Sequence, residues 1–410
     1  MPSRNQAARA LVAGVCLALA GCSAATTSTA PTPSEPTSTS SSASPSPTMT
    51  TQATPAPTEA PESAEPTCAK VDSVIVQLPG PISPRVAGFV AARDRGMYER
   101  ECLDVTLADG EQTIDPAVSL GQGSADFAVT WVPAALNARE RGAAITEIAQ
   151  VFQRSGTVQV ARSSSGITSA ADFKDRLIGI EEGNHEFEVL AAITKAGMDP
   201  VKDVTVIPQP SDPLALLSGA VDAMQLTTYD GYPRLLMAED PATGKRLAPE
   251  DLTTIDYNNE GVAVLQDSIW ASAQRLTDPA YQDATQRFIT ATLEGWIHCR
   301  DEPADCASIL VDAGASDSIP VLAWQLNEVN KLIWPSPAGV GVINPAAWNR
   351  TATIALYTRN LQGESAITEI PDQAAFTNTY AEAANAALAA EGFDTTGTGF
   401  APLSVTLPTE

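Results

Sequence analysis

The stretch LIGIEEGNHEFEVL, residues 177–190, opens as four apolar residues, turns through Glu182-Gly183-Asn184 and resumes with helical spacing. A short apolar run, a glycine turn and a helix make up the unit by which α/β proteins present backbone N–H groups to a ligand. Many such turns hold phosphate. This one carries Glu181, Glu182, Glu186 and Glu188 and no Lys or Arg, so a phosphate would meet like charge. Carboxylates near a helix N-terminus also support the helix itself through its dipole, which is the reading for Glu188, one turn in.

The same alternation runs outward in both directions. Upstream lie SVIVQL (73–78), a helix over about 86–99, CLDVTLADG (102–110), a short helix near 116–121 and ADFAVTW (125–131). A helix over PAALNARERG (133–142), then ITEIAQVFQ (145–153) and TVQVARS (157–163), complete that block. A second block contains the helix SAADFKD (169–175), the opening strand and helix, VTVIPQ (204–209), the helix DPLALLSGA (212–220) and AMQLTTYD (223–230). Strand–helix alternation predicts α/β lobes with mostly parallel sheet flanked by helices. After LTTIDYNNEGVAVLQ (252–266) the chain reads as mainly helical to about residue 391. Two α/β blocks joined by two extended crossings, with late helices returning to the first block, describe two lobes and a cleft. The expected boundaries are 68–158 for the first part of lobe 1, 159–257 for lobe 2, and 258–410 for the return of lobe 1 with the C-terminal helices.

Five stretches carry a family resemblance: residues 88–110, residues 149–180 (AQVFQRSGTVQVARSSSGITSAADFKDRLIGI), residues 219–232 (GAVDAMQLTTYDGY), residues 293–314, and residues 329–348 (VNKLIWPSPAGVGVINPAAW). They resemble the solute-binding proteins of ABC importers in the group that binds thiamine pyrimidine precursors, a sister branch of which takes up riboflavin. The resemblance implies a two-lobed periplasmic-binding-protein type II fold with two crossover segments and a helical C-terminal part. It also implies a small heterocyclic vitamin or precursor as ligand, ABC permease subunits as partners, and a monomer. The fold is shared with a eukaryotic pyrimidine synthase that consumes its own histidine and uses lysine-bound pyridoxal phosphate. This chain lacks a cysteine-rich segment like that enzyme's, so a binding protein without cofactor is the expectation.

The N-terminus points to export. Arg4 and Arg9 precede the apolar run LVAGVCLALAG (11–21), about half the length a spanning helix needs. It ends in LAGC (19–22), which resembles the bacterial lipoprotein box and implies cleavage before Cys22 and lipidation of that residue. Residues 1–21 are then a signal peptide. Residues 22–67, the lipidated cysteine and a Ser/Thr/Pro-rich tether, have too little apolar surface to fold. The location expected is extracytoplasmic, on the cell membrane through the anchor. A formal charge of -25 makes nucleic acid a poor partner.

Six cysteines are present. Cys16 leaves with the signal peptide and Cys22 is taken by lipid, leaving an even number in an oxidising compartment. Cys68 and Cys102 begin successive strands and are expected to pair. Cys299 and Cys306 lie about 10 Å apart along one helix, too far for a bridge, but Pro303 between them should end that helix and start another. Buried free thiols are the alternative.

Chemistry-bearing motifs are few. His185 and His298 have no metal-ligand spacing, and no P-loop, G-x-S-x-G or C-x-x-C appears. An enzyme reading would have only His185 with Glu186 as a titratable pair. In an α/β cleft the ligand meets turns at strand carboxyl ends. Those ends supply Gln77, Arg85 and Phe89; Trp131; Phe152; Asn184 and Glu186; Tyr229 and Asp230; and, on the return crossing, Asn259 and Glu260. Phe89 and Phe152 also read as core, and Arg85 as a partner for a carboxylate across the cleft mouth. Trp131, followed by Pro133, is well placed to stack on a flat ring. Trp334, before Pro335, could approach the cleft, whereas Trp270, Trp296, Trp324 and Trp348 read as packing. An aminopyrimidine offers an exocyclic donor beside ring acceptors, a pattern that carboxylates and an Asn amide can match.

Overall fold

The computed structural model describes residues 68–110, 114–183, 185–209 and 212–408. Cys22, the signal segment, the tether and Asn184 lie outside the described residues. Four strands precede the first crossing: β1 (Asp72–Gln77), β2 (Leu103–Ala108), β3 (Phe127–Thr130) and β4 (Ile145–Gln150). Residues 151–156 lead to β5 (Thr157–Arg162), β6 (Leu177–Ile180), β7 (Thr205–Pro208) and β8 (Ala223–Thr227). A two-stranded ribbon, β9 (Glu239–Asp240) and β10 (Lys245–Arg246), is followed by β11 (Leu252–Asp256). The chain returns through residues 257–267 to β12 (Ser268–Ser272). Two five-stranded sheets result, ordered β2-β1-β3-β12-β4 and β11-β5-β8-β6-β7, one in each lobe.

The expectation of mostly parallel sheet needs correction. β1 pairs in parallel with β2 and β3, and β6 with β7 and β8. The pairs β12–β3, β12–β4, β5–β8 and β11–β5 are antiparallel. A helical crossover within one sheet forces neighbouring strands parallel. β5, β11 and β12 instead abut the crossings between lobes, and no such helix dictates their direction. Edge strand β2 alternates buried and exposed residues, whereas β3, inside the sheet, is buried throughout.

The late helices do return to the first sheet. Asp278 starts the helix Pro279–Asp301 by accepting from the Ala280 N–H at 3.0 Å, with Pro279 in the first turn. This helix presses on the helix Ala87–Asp94 so closely that a Cβ on Gly295 would lie 2.1 Å from the Gly88 carbonyl oxygen. Only glycine allows that approach. Around it Phe89, Phe127, Phe288 and Trp296 form the core of lobe 1, with Phe127 and Phe288 stacked at 4.3 Å. A second cluster spans both lobes: the helix Pro345–Tyr357 packs on Val132–Glu140 from lobe 1 and on Phe187–Lys195 from lobe 2. No helix among the described residues is long and apolar enough to cross a membrane.

Both expected disulfides are formed. Cys68–Cys102 joins the approaches to β1 and β2, with Cα atoms 5.6 Å apart. For Cys299–Cys306 the first helix ends at Asp301 and Pro303 begins the next, which brings the Cα atoms to 5.2 Å. Loop entropy assigns about 4 kcal/mol to the bridge that closes the 34-residue separation and about 2.5 kcal/mol to the 7-residue one. Urea melts of the two paired Cys→Ser variants should therefore show the larger loss for Cys68/Cys102. The opposite order would mean that burial of Cys299 and Cys306 outweighs loop length.

Candidate functional site

A cavity of about 400 Å³ opens where strand ends from both sheets meet, within the roughly 300–1,000 Å³ usual for small-molecule sites. Residues 79–86, after β1, form one wall and include Arg85. Trp131 follows β3 directly and caps the helix Val132–Glu140, with Pro133 in its first turn. From lobe 2 come Glu181 and His185 after β6, and Tyr229 and Asp230 after β8. Asp230 is the N-cap residue of the helix Gly231–Met237, which adds Arg234. The loop 315–317 and the helix Ile319–Ile333 close the mouth with Asp317, Leu322 and Gln325.

Charge in this cavity is tied up in pairs. The Arg85 Nε and one terminal nitrogen donate to the two oxygens of buried Asp267 at 2.7 and 2.6 Å. Burial works against the guanidinium charge, but Asp267, with Tyr229 and Asp230 adding, raises its pKa above the ordinary arginine value. Arg234 donates to Asp230 at 2.7 Å within lobe 2 and reaches Asp317 of lobe 1 at 3.4 Å. His185 leans on the Trp131 ring from the opposite lobe, with centroids 4.3 Å apart, and its Nδ1 stands 3.9 Å from Glu181. Burial, and then the charge of Arg85, push its pKa down to about 4, so the imidazole is neutral at pH 7.

Among the residues that line the cavity, two buried polar atoms are left over. The Trp131 indole N–H and the Gln325 side-chain carbonyl are buried and have no hydrogen-bond partner among the described residues. One is a donor and the other an acceptor. Both residues line the cavity.

Of the residues singled out in the sequence, the fold gathers Arg85, Trp131, Tyr229 and Asp230 around the cavity. Arg85 pairs with a carboxylate of its own lobe, Asp267, and not with one across the mouth. Gln77 is engaged behind the wall, its amide donating to the carbonyls of Leu78, Ala108 and Asp109. Phe89 and Phe152 are fully buried beneath the floor, where Phe152 meets Tyr229 and Trp296 edge-on. Glu186 lines a separate cavity of about 280 Å³ with Arg141, Glu182 and Glu364. Asn259 is exposed and bonds Asp256, and the Glu260 carbonyl accepts from Lys195. Asn184 is outside the described residues. Trp334 is buried under the Arg300 guanidinium. Arg234, Asp317 and Gln325 were missed; only Arg234, four residues beyond Asp230, left a local signal. No cluster of His, Cys, Asp and Glu among the described residues could hold a metal ion.

Residues 83–306 match the NMT1/THI5-like family. Over 163 residues the chain is 29% identical to the riboflavin-binding protein RibY of Chloroflexus aurantiacus, covering 38% of this chain and 45% of that protein. Over 126 residues it is 27% identical to 4-amino-5-hydroxymethyl-2-methylpyrimidine phosphate synthase of Legionella pneumophila, covering 30% and 39%. Each match spans less than half of the relative's length. The fold is similar to that of the periplasmic aliphatic sulphonate binding protein SsuA of Escherichia coli, with a TM-score of 0.53 at 15% identity, covering 74% of this chain and 97% of that one.

His185 gives the site a signature that can be read directly. With its pKa depressed from 6.5 to about 4, the folded protein keeps this proton off where the unfolded chain binds it. Its contribution to stability is complete above pH 6.5 and is lost as pH falls through about 4. The chain has two histidines, so proton NMR can follow each ring separately. One should titrate near pH 4, and its signal should vanish in His185→Gln.

Proposed function

Because the chain belongs to the NMT1/THI5-like family, we propose that it is the extracytoplasmic solute-binding component of an ABC importer. On this reading it is anchored at Cys22 and captures an uncharged heterocycle by closing its lobes. The preferred ligand is a thiamine pyrimidine precursor of the amino- or hydroxymethylpyrimidine type. The observation that carries this reading is the unpartnered pair in the cavity, the Trp131 N–H and the Gln325 carbonyl. A flat ring with an acceptor nitrogen and an exocyclic N–H₂ carries a group to match each of them, and leaving either unmet is costly.

Charge supports the same class. The cavity is lined by Glu181, Asp230 and Asp317 against Arg85 and Arg234, and both arginines are already paired with carboxylates. A sulfonate or phosphate would have to compete for them. Riboflavin is the second reading, favoured by the relative named for it. Its ring system also carries donors and acceptors along one edge, and its longer body is what cavity size would have to admit. The relative named as a synthase keeps an enzyme in view. Its acid–base pair here would be His185 with Glu181, since Glu186 lines a different cavity.

Calorimetry against an aminopyrimidine, riboflavin and an alkanesulfonate tests the proposal, with mass spectrometry of the recovered ligand to detect turnover. The uncharged pyrimidine should bind best and be recovered unchanged. A preference for the sulfonate would remove the charge argument, and a new product would favour the enzyme. Trp131→Phe keeps a ring but lacks the indole N–H, and should weaken binding by about 1 kcal/mol. Cys22→Ala should move the protein from the membrane fraction to the soluble exported fraction, as cell fractionation would report.

A further inference from the structure

Of the four carboxylates of the opening stretch, Glu188 is the one that lines neither cavity. It sits in the first turn of the helix Phe187–Lys195 in lobe 2 and is fully buried. Its two oxygens reach both crossings. One accepts from the Val264 N–H at 2.7 Å, on the return crossing. The other accepts from the Ser155 hydroxyl at 3.1 Å, on the outward crossing, and the Thr157 hydroxyl also bonds the carboxylate. Ser155 is held in turn: its Oγ accepts from the Thr157 N–H at 3.0 Å and from the Gln266 amide at 2.8 Å. Gln266 also donates to the Thr157 hydroxyl and accepts from the Gly156 N–H. One lobe-2 side chain thus clasps both segments that must move when the lobes close.

We infer that Glu188 is the residue that positions the two crossings: protonated, it holds the hinge tight, and ionised, it loosens the hinge, although it does not line the cavity. This rests on the lobe-closure reading above. Burial raises the Glu188 pKa from 4.5 to about 7; the bonds from Val264, Thr157 and Ser155 lower it, and the charge of Asp256 raises it further. Protonation does not break the clasp, because the Thr157 hydroxyl can turn from donor to acceptor while the Val264 N–H keeps the other oxygen.

The other charged groups around this helix are otherwise occupied. At the end of β11, Asp256 accepts from the Asn258 N–H, and Tyr257, which opens the return crossing, donates its hydroxyl proton to Gln159. Lys195 reaches the Glu260 carbonyl. Arg350, on the helix Pro345–Tyr357, donates to the Ala263 carbonyl. Arg154, on the outward crossing, donates to carbonyls between Lys331 and Pro335. Asp172 is held by Thr168 and Ser169.

The sign follows from linkage. A hinge that loosens lets water reach the carboxylate, whose pKa then falls toward 4.5. The tight hinge binds the proton better, so its advantage is complete below about pH 4.5 and is lost as pH rises through about 7. Across that window the opening equilibrium should change on the order of a hundredfold.

The test uses ligand-free protein, so it stands apart from the identity of the ligand. Hydrogen exchange at residues 257–267, corrected for intrinsic rates, is followed from pH 4.5 to 8.5 beside X-ray scattering for lobe opening. Wild type should exchange at least tenfold faster at the high end, with a midpoint near pH 7, and scatter as a more open particle. Glu188→Gln, which cannot titrate, should give a flat profile. A flat wild-type profile, or an unchanged midpoint in Glu188→Gln, would overturn the inference. If Glu188→Gln does not fold, the wild-type profile and Glu188→Asp decide: the aspartate must keep a titration step and move its midpoint, and an unmoved midpoint counts against Glu188.

Discussion

Two segments of chain pass between the lobes, each with a buried stretch, Ser155 and Gly156 on one and residues 262–267 on the other, and the backbone groups carried there need partners inside the protein. Side chains from other elements supply them. The Asn258 amide accepts from the Ser155 N–H at 3.1 Å and donates to the Ser155 carbonyl at 2.8 Å. Gln266 takes the Gly156 N–H, Thr351 the Leu265 N–H, and Arg350 the Ala263 carbonyl. These bonds prescribe how the lobes face each other. They also reach the cavity: a Cβ on Gly156 would come within 2.7 Å of the Tyr229 ring, so the crossing runs directly beneath a wall residue. The shape of the cleft therefore depends on buried polar contacts outside it.

Within the cleft, a strongly acidic chain has kept two arginines and neutralised both. Asp267 holds Arg85 so squarely that it becomes part of the wall, and its neutralised charge still helps keep His185 unprotonated. Arg234 joins the lobes through Asp317, and beside it Tyr232 of lobe 2 stacks on Trp324 of lobe 1 at 6.4 Å. These contacts are partly exposed and individually weak, which suits a mouth that has to open.

Much of the architecture was legible because its signals are local. The opening strand–turn–helix, the two α/β blocks and the proline that folds Cys299 toward Cys306 each lie within a few residues. Strand direction at β5, β11 and β12 was not, because it depends on whether a helix intervenes within the same sheet. The carboxylates of the opening stretch show the same limit. Glu181, Glu186 and Glu188 lie within eight positions, yet they serve the cleft, a second cavity and the hinge respectively. Nothing in residue type separates them; the path of the turn does. Phe152 followed a strand end and still went to the core, since a ring near a strand terminus can point either up or down, and Phe89 went there on the buried face of the helix Ala87–Asp94. Asp317 and Gln325 could not be found at all, because they arrive from a loop and the helix after it, more than eighty residues beyond the last strand end on the cleft.

The contact between Trp131 and His185 has a practical side. The indole belongs to lobe 1 and the imidazole to lobe 2, so their 4.3 Å approach exists only while the lobes are together. Of six tryptophans, four others are buried within the fold and Trp324 lies at the rim. Separating the lobes would change the surroundings of Trp131 most, exchanging a ring neighbour for water. The molecule thus contains a built-in optical gauge: its ultraviolet emission should track the hinge without any attached dye.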